Sequence, residues 1–420
     1  MLNKIIFHID FDCYFVSAHR SLNPKLLNKP IAIAKNEGKA ISCAVSYELR
    51  ELGIKNGDPA FMIKKICPRT IFINANYLLY INLSNLIFDY ITKNYSNKFE
   101  MFSIDECWLD MSQKLEQKTN DQILDYAKRI QMDILKKFKI PISIGISHNK
   151  FLSKMATNLA KPFGIKLIDE DNLQLIWDLE INKFFGIGKS LTNKLNNFGI
   201  KKIGEIAKLK ENSIEAISCF GKFAKKIIDT ANGQYDEPLN EGAEMKSLGS
   251  EITFDFDNLD NENDFYLVLN DLANKVCQRA KSRGQFANTV VLRIRNISGK
   301  WISRQKKLNS FTNDVNVVAK TSIKLFNDLN RKNIKGIGVA LSNLIFESNL
   351  GTQISLFESN NEQLNENNKI DKIIKDINLT MNKDIAKTGI DFLKEQKIKD
   401  KTHNNVKFIN IDEKGEKKWK

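Results

Sequence analysis

The chain has 420 residues, 42% of them hydrophobic, enough for several cores rather than one. Its formal net charge of +14 and pI near 9.2 call for an anionic partner, although heavy use of Lys and Asn throughout makes the distribution of charge more telling than the total. Six scattered cysteines without a CxxC pair argue against zinc or a disulfide framework, and an early Asp10 with no apolar run of about 20 residues argues against a signal peptide or membrane span, so the chain reads as soluble and cytoplasmic.

"KIIFHIDFDCYFVSA" (4–18) alternates as a strand does, with Ile5, Phe7, Ile9 and Phe11 on one face. The other face carries Ile6, His8, Asp10 and Asp12. Residues 29–61 read as a strand, a glycine turn, a second strand and a helix closed by Gly53. Spacing predicts helices over 77–95 and 121–139. Between them, "MFSIDECWLDM" (101–111) is a strand-like run that holds Asp105 and Glu106 side by side. Residues 141–168 give a short strand and a helix that stops at Pro162, completing a mixed α/β unit whose sheet is assembled from distant segments. From about 169 the texture is helical and glycine-punctuated, and 234–244 is polar and proline-containing, as a linker would be. Residues 245–347 return to strands and helices, "NTVVLRIRNI" (288–297) being the clearest strand. Beyond about 350 Asn, Lys, Glu and Asp dominate, and little packed core is expected apart from a helix near 367–379.

Adjacent acids in a strand need explaining. At about 4 Å and an effective dielectric of about 20, two like charges repel by roughly 4 kcal/mol. Acids at 10, 105 and 106 projecting from one sheet could hold hard divalent cations, with substrate phosphates completing the shell. The plain alternative is a hairpin tip with two solvated acids. In an ideal pleat, neighbours 105 and 106 face opposite ways, so both reach one site only at a twist or turn.

"SYELR" puts Tyr47 and Arg50 three apart, on one helix face, where a guanidinium could grip phosphate and a hydroxyl add a bond, the plain alternative being an ordinary surface arginine beside a half-buried tyrosine. Lys161 in "AKPFG" stands at a helix end. "FFGIGKSLTNKLNNFGI" has a helix–hairpin–helix pattern in which Gly186 and Gly188 would let backbone N–H groups approach a DNA phosphate and Lys189 adds charge. Between Leu272 and Asn313 there is no acid, while ten basic residues include Arg293 and Arg295 on one strand face. That is the footprint of a phosphate-backbone groove. "QISLF" (353–357) sets three apolar side chains in a polar tail, a liability unless they dock.

Together, "HIDFDCYFVSA", "SYELRELGIKNGDPAF", "FSIDECWLD", "IGISHNKFLSKMATNLAKPFGIK" and "FFGIGKSLTNKL" resemble the signatures of the Y-family (translesion) DNA polymerases, the DinB and UmuC group, in order and spacing over about residues 4–347. The resemblance implies an α+β multidomain right hand. The palm would be 1–19 and 79–165, the fingers 20–78, and the thumb, with its helix–hairpin–helix, 166–233. An α/β little finger at 245–348 would follow the 234–244 linker, with a flexible tail at 349–420. It implies that Asp10, Asp105 and Glu106, helped by the Phe11 carbonyl, hold two Mg²⁺, with Mn²⁺ as a substitute. Tyr47, Arg50 and Lys161 would hold the incoming dNTP, and Phe15 would lie under its sugar and clash with a 2′-hydroxyl. Primer–template DNA would meet Gly186, Gly188, Lys189, Arg293 and Arg295. Gln353, Leu356 and Phe357 would bind the sliding clamp, and accessory subunits would join on the UmuC-like side. The implied activity is low-fidelity synthesis past damage in DNA repair and the SOS response. A catalytically silent DNA- and clamp-binding scaffold and a palm-type nucleotidyl cyclase are the alternatives. His19, Trp108 and Phe163 depart from the family pattern.

Overall fold

A computed structural model of the chain describes residues 4–36, 40–240, 245–254, 262–329 and 334–349, and the structural statements below concern those residues. "QISLF" and the helix expected near 367–379 lie outside them. The chain divides into two compact units at the Glu244–Met245 boundary.

In the first unit, β1 (Ile6–Phe11) is buried on both faces. The strand expected to run to 18 ends at Phe11, because Cys13 takes a left-handed conformation (φ 45°) and α1 (Tyr14–Leu22) follows. Its apolar alternation fits a helix as well as a strand over so few residues. Next come β2 (Ile31–Ile33), β3 (Ala44–Val45), α2 (Tyr47–Arg50), α3 (Ala60–Ile66) and β4 (Ile71–Ile73). The last two go beyond the sequence reading. They close a small sheet, β3–β2–β4, over Val45, Leu49, Ile54 and Ile63. Then α4 (Tyr77–Asn94), β5 (Phe99–Met101), β6 (Glu106–Asp110), α5 (Asn120–Phe138), β7 (Ile142–Ser147), α6 (Lys150–Ala160) and β8 (Ile165–Leu167) complete the larger sheet.

That sheet has the order β5–β6–β1–β7–β8, so β1 is central and antiparallel to both neighbours. Ile5, Phe7, Ile9 and Phe11 pack with Ile87 and Ile91 of α4 and with Ile123, Ala127 and Ile130 of α5. The face of His8 and Asp10 receives α6 instead. There Gly145, the register partner of His8, is obligatory: a Cβ on it would lie 2.0 Å from the Ser153 carbonyl oxygen. Short helices α7 (Gln174–Trp177), α8 (Lys189–Asn197), α9 (Ile203–Ala207), α10 (Ile214–Phe220) and α11 (Ala224–Ala231) pack around Ile176, Leu195, Ile203 and Phe220.

The second unit contains β9 (Ser247–Thr253), α12 (Glu262–Lys281), β10 (Gln285–Asn296), β11 (Trp301–Thr312), α13 (Val315–Asn327) and β12 (Ile334–Phe346). Its antiparallel sheet, β11–β10–β12–β9, is covered on one face by both helices through Val290, Leu292, Val276 and Phe326. Alternation along β10 leaves Val291, Arg293 and Arg295 on the opposite face. Among the described residues, no helix is long and apolar enough to cross a membrane.

Candidate active site

Register brings the acids together. Asp10 and Glu106 are direct partners across β1 and β6, and the Asp105 carbonyl accepts the Phe11 N–H at 2.9 Å. Asp105 lies in the turn between β5 and β6, before β6 begins, so it escapes the pleat that would turn it away from Glu106. The plain alternative of a hairpin tip is thus right about the turn and wrong about solvation: Asp105 and Glu106 are half-buried, and Asp10 is 3% exposed.

Each acid has its own compensation. Lys161 Nζ lies 2.6 Å from Asp10 Oδ2, and Lys154 Nζ 2.5 Å from Glu106 Oε2. Ser103 Oγ donates to Asp105 Oδ1 at 2.6 Å. Burial pushes the Asp10 carboxyl up to about 7 against the pull of Lys161, and the charges of Glu106 and Asp105 add to the push. Asp105 is raised as well, by burial first, with the Ser103 bond opposing and Glu106 adding. Burial would also raise Glu106, but the His8 ring and the Lys154 ammonium outweigh it and hold this carboxyl well below the usual range. His8 is itself kept neutral by burial, its pKa lowered to about 4.

Among the described residues, no three His, Cys, Asp or Glu side chains converge into a finished cation cage. The donor set still fits a hard divalent ion: all three are carboxylates at one sheet end, and in two of them negative charge is under-compensated. The Lys161 ammonium offsets only part of the burial of Asp10, while Lys154 pairs with Glu106.

Around the acids, Tyr47 donates from its hydroxyl to Asp12 Oδ1 at 3.1 Å, and exposed Arg50 places its guanidinium 5.0 Å from the Tyr47 ring centre. The spacing of three has put both on one face. Phe15 is half-buried and stacks on Tyr80, with centroids 4.1 Å apart at 9°. Tyr80 is braced in turn by His19, 2.9 Å from its hydroxyl. Trp108 packs edge-on to His8 and donates to the Lys150 carbonyl at 3.1 Å, while the Phe163 N–H donates to Asp12. None of the three departures touches an acid of the trio.

Sequence reasoning passed over Lys154, Tyr80 and the partners of Asp12. Lys154 left a signal: it interrupts the wholly buried run Phe151–Thr157 of α6, where a lone lysine must have a counter-charge. No comparable pattern marks Tyr80.

Gly186 (φ 101°) needs its glycine, and Gly188 caps α8 at Lys189; all three are exposed. In the second unit Arg295 lies over Trp301 at 5.9 Å, and Arg293 Nη1 is 3.9 Å from Glu251 Oε2. The acid-free segment therefore meets an acid from β9. Gly338 lies between them in register, and a Cβ there would come within 2.8 Å of the Glu251 Cβ.

Residues 9–158 match the impB/mucB/samB family and residues 245–356 match its C-terminal domain. "DNA polymerase IV" of Clostridioides difficile (strain 630) is 33% identical over 358 residues, covering 84% of this chain and 96% of that protein. "DNA polymerase IV 1" of Bacillus subtilis (strain 168) is 30% identical over 418 residues, 98% of this chain and 99% of that one. Among solved structures, a Y-family DNA polymerase chimera matches with a TM-score of 0.71 and 27% identity, over 81% of this chain and 99% of its own. Two matched domains spanning more than half the chain, and relatives aligned over nearly their whole length, show that this chain belongs to the impB/mucB/samB family, the Y-family DNA polymerases.

Proposed function

We infer that the protein is a template-directed DNA polymerase that synthesises past damage with low fidelity. The observation that carries the chemistry is the pairing of Asp10 with Glu106 across β1 and β6, with Asp105 tied to the same strand end. The polymerase relatives leave the silent scaffold and the cyclase without support.

Asp10, Asp105, Glu106 and the Phe11 carbonyl would hold two Mg²⁺, or Mn²⁺ in their place, which when bound make the primer 3′-hydroxyl more acidic and offset charge on the leaving pyrophosphate. Lys161, Tyr47 and Arg50 take the triphosphate of the incoming dNTP. Lys161 reaches it by leaving Asp10, exchanging one anionic oxygen for another. Phe15, backed by Tyr80, lies under the sugar. Gly186, Gly188 and Lys189 offer backbone N–H groups and charge to primer–template phosphates. Primer extension with Mg²⁺ on plain and damaged templates tests the reading, and absence of templated incorporation would overturn it. The protein works in the cytoplasm.

Arg293 and Arg295 present the little-finger sheet to the DNA backbone. Reversing both charges is expected to weaken binding on every sequence and to flatten the salt dependence by roughly 0.9 log unit for each phosphate that is no longer neutralised. An unaltered slope in a salt titration would remove this face from the interface.

Gln353, Leu356 and Phe357 would dock on the sliding clamp, the Gln by hydrogen bonds and the other two in an apolar pocket. Burying Leu and Phe is worth roughly 1.5–3 kcal/mol each before the cost of ordering the segment, so binding is weak and gains from tethering by DNA. Leu356→Ala with Phe357→Ala is expected to leave extension on a bare primer intact and to remove stimulation by a loaded clamp. Full stimulation of the double variant would leave "QISLF" without that role.

A further inference from the structure

We propose that Asp12 is a positioning residue for the nucleotide clamp, holding Tyr47 and the Lys161–Pro162–Phe163 turn in register before the nucleotide arrives; this rests on the polymerase reading above. Asp12 is 2% exposed and is not one of the three metal-binding acids. Its carboxylate gathers donors from three segments distant in sequence: Tyr47 Oη to Oδ1 at 3.1 Å, Ser143 Oγ at 3.0 Å to both oxygens, and the Phe163 N–H to Oδ2 at 2.8 Å. The residue itself cannot drift. Its N–H donates to the Pro141 carbonyl at 2.9 Å, and its carbonyl accepts from Ser17 Oγ at 2.6 Å.

Two of those three donors lead to groups that take the triphosphate. Tyr47 is one such group, and Phe163 stands two residues beyond Lys161. Hydrogen bonds to a buried carboxylate are about twice as strong as neutral ones, so this hub fixes Tyr47 at the start of α2 and the turn after α6 to a common point just past the end of β1. Tyr47 has one hydroxyl hydrogen. Asp12 holds it while the site is without nucleotide, and a phosphate oxygen then replaces the carboxylate as acceptor, with the ring already aimed. Asp12 retains Ser143 and Phe163 throughout, so the turn stays placed. Orientation paid for in folding need not be paid on binding.

Single-nucleotide insertion kinetics test this with Asp12→Asn, alone and combined with Tyr47→Phe and Lys161→Ala. Asn matches Asp in size but offers an amide N–H₂ to a donor, so one clamp partner loses its acceptor. The KM for nucleotide is expected to rise about tenfold with kcat within about threefold of the parent and primer–template affinity unchanged. In the Tyr47→Phe, Lys161→Ala background the same change should alter kcat/KM by less than about twofold, because the groups it acts through are gone. Ser143→Ala loosens the carboxylate without touching either clamp residue. It should raise KM about threefold, equally absorbed in that background, and it carries the test if Asp12→Asn fails to fold. Equal losses in both backgrounds, or a fall in kcat at constant KM, would overturn the assignment. If the parent inserts no templated nucleotide, the polymerase reading falls and Asp12's role with it. If the parent inserts normally and the losses are additive, only the Asp12 assignment falls.

Discussion

Asp105→Ala is expected to cut nucleotide incorporation by at least about a thousandfold, some 4 kcal/mol of transition-state stabilisation, with primer–template affinity near the parent's. The carboxylate accepts a hydrogen bond from the Ser103 hydroxyl, whose loss leaves one hydroxyl to be solvated and costs the fold little. Glu106→Ala should abolish activity equally but with a second consequence. Lys154, whose side chain is 8% exposed, would lose its carboxylate, and removing one partner of a buried ion pair costs on the order of 3–5 kcal/mol of stability. Thermal melting beside extension assays separates the two effects: Asp105→Ala should melt near the parent and Glu106→Ala clearly below it. Substantial extension by both variants would remove these acids from the reaction.

Phe15→Ala should raise ribonucleotide incorporation relative to deoxyribonucleotide by about 100-fold, or ~2.7 kcal/mol of discrimination. Discrimination by a steric veto depends on the blocking group being unable to yield. Phe15 meets that condition, stacked on Tyr80, which is itself fully buried and held at its hydroxyl by His19. Removing the ring leaves this backing intact, so deoxyribonucleotide insertion should fall far less than ribonucleotide insertion rises. Insertion kinetics with matched ribo and deoxy triphosphates provide the ratio. If it is unchanged, another side chain excludes the 2′-hydroxyl. His19→Ala should move the ratio in the same direction by a smaller factor, since it loosens the backing and leaves the ring.

Local pattern carried much of this protein. The period-two run Ile5–Phe11 marks the central strand, the spacing of 77–95 and 121–139 marks α4 and α5 to within a residue, and Asp105–Glu106 stands out because acids are costly in strands. These are properties of neighbours in the chain, and neighbours in the chain suffice to reveal them. The end of β1 was less legible, because "CYFVSA" satisfies both periods and the left-handed turn at Cys13 has no glycine to announce it. What faces what across the sheet was not legible at all. That Lys154 neutralises Glu106, that Asp12 ties Tyr47 to the turn at Phe163, and that Glu251 reaches Arg293 past Gly338 all depend on strand register and on helix placement. Buried charge demands a partner but does not name one. The sequence by itself determined which carboxylates needed compensation, because burial follows from hydrophobic period; only the tertiary structure decided which cation or donor supplies it, because electrostatic compensation is a matter of distance in space.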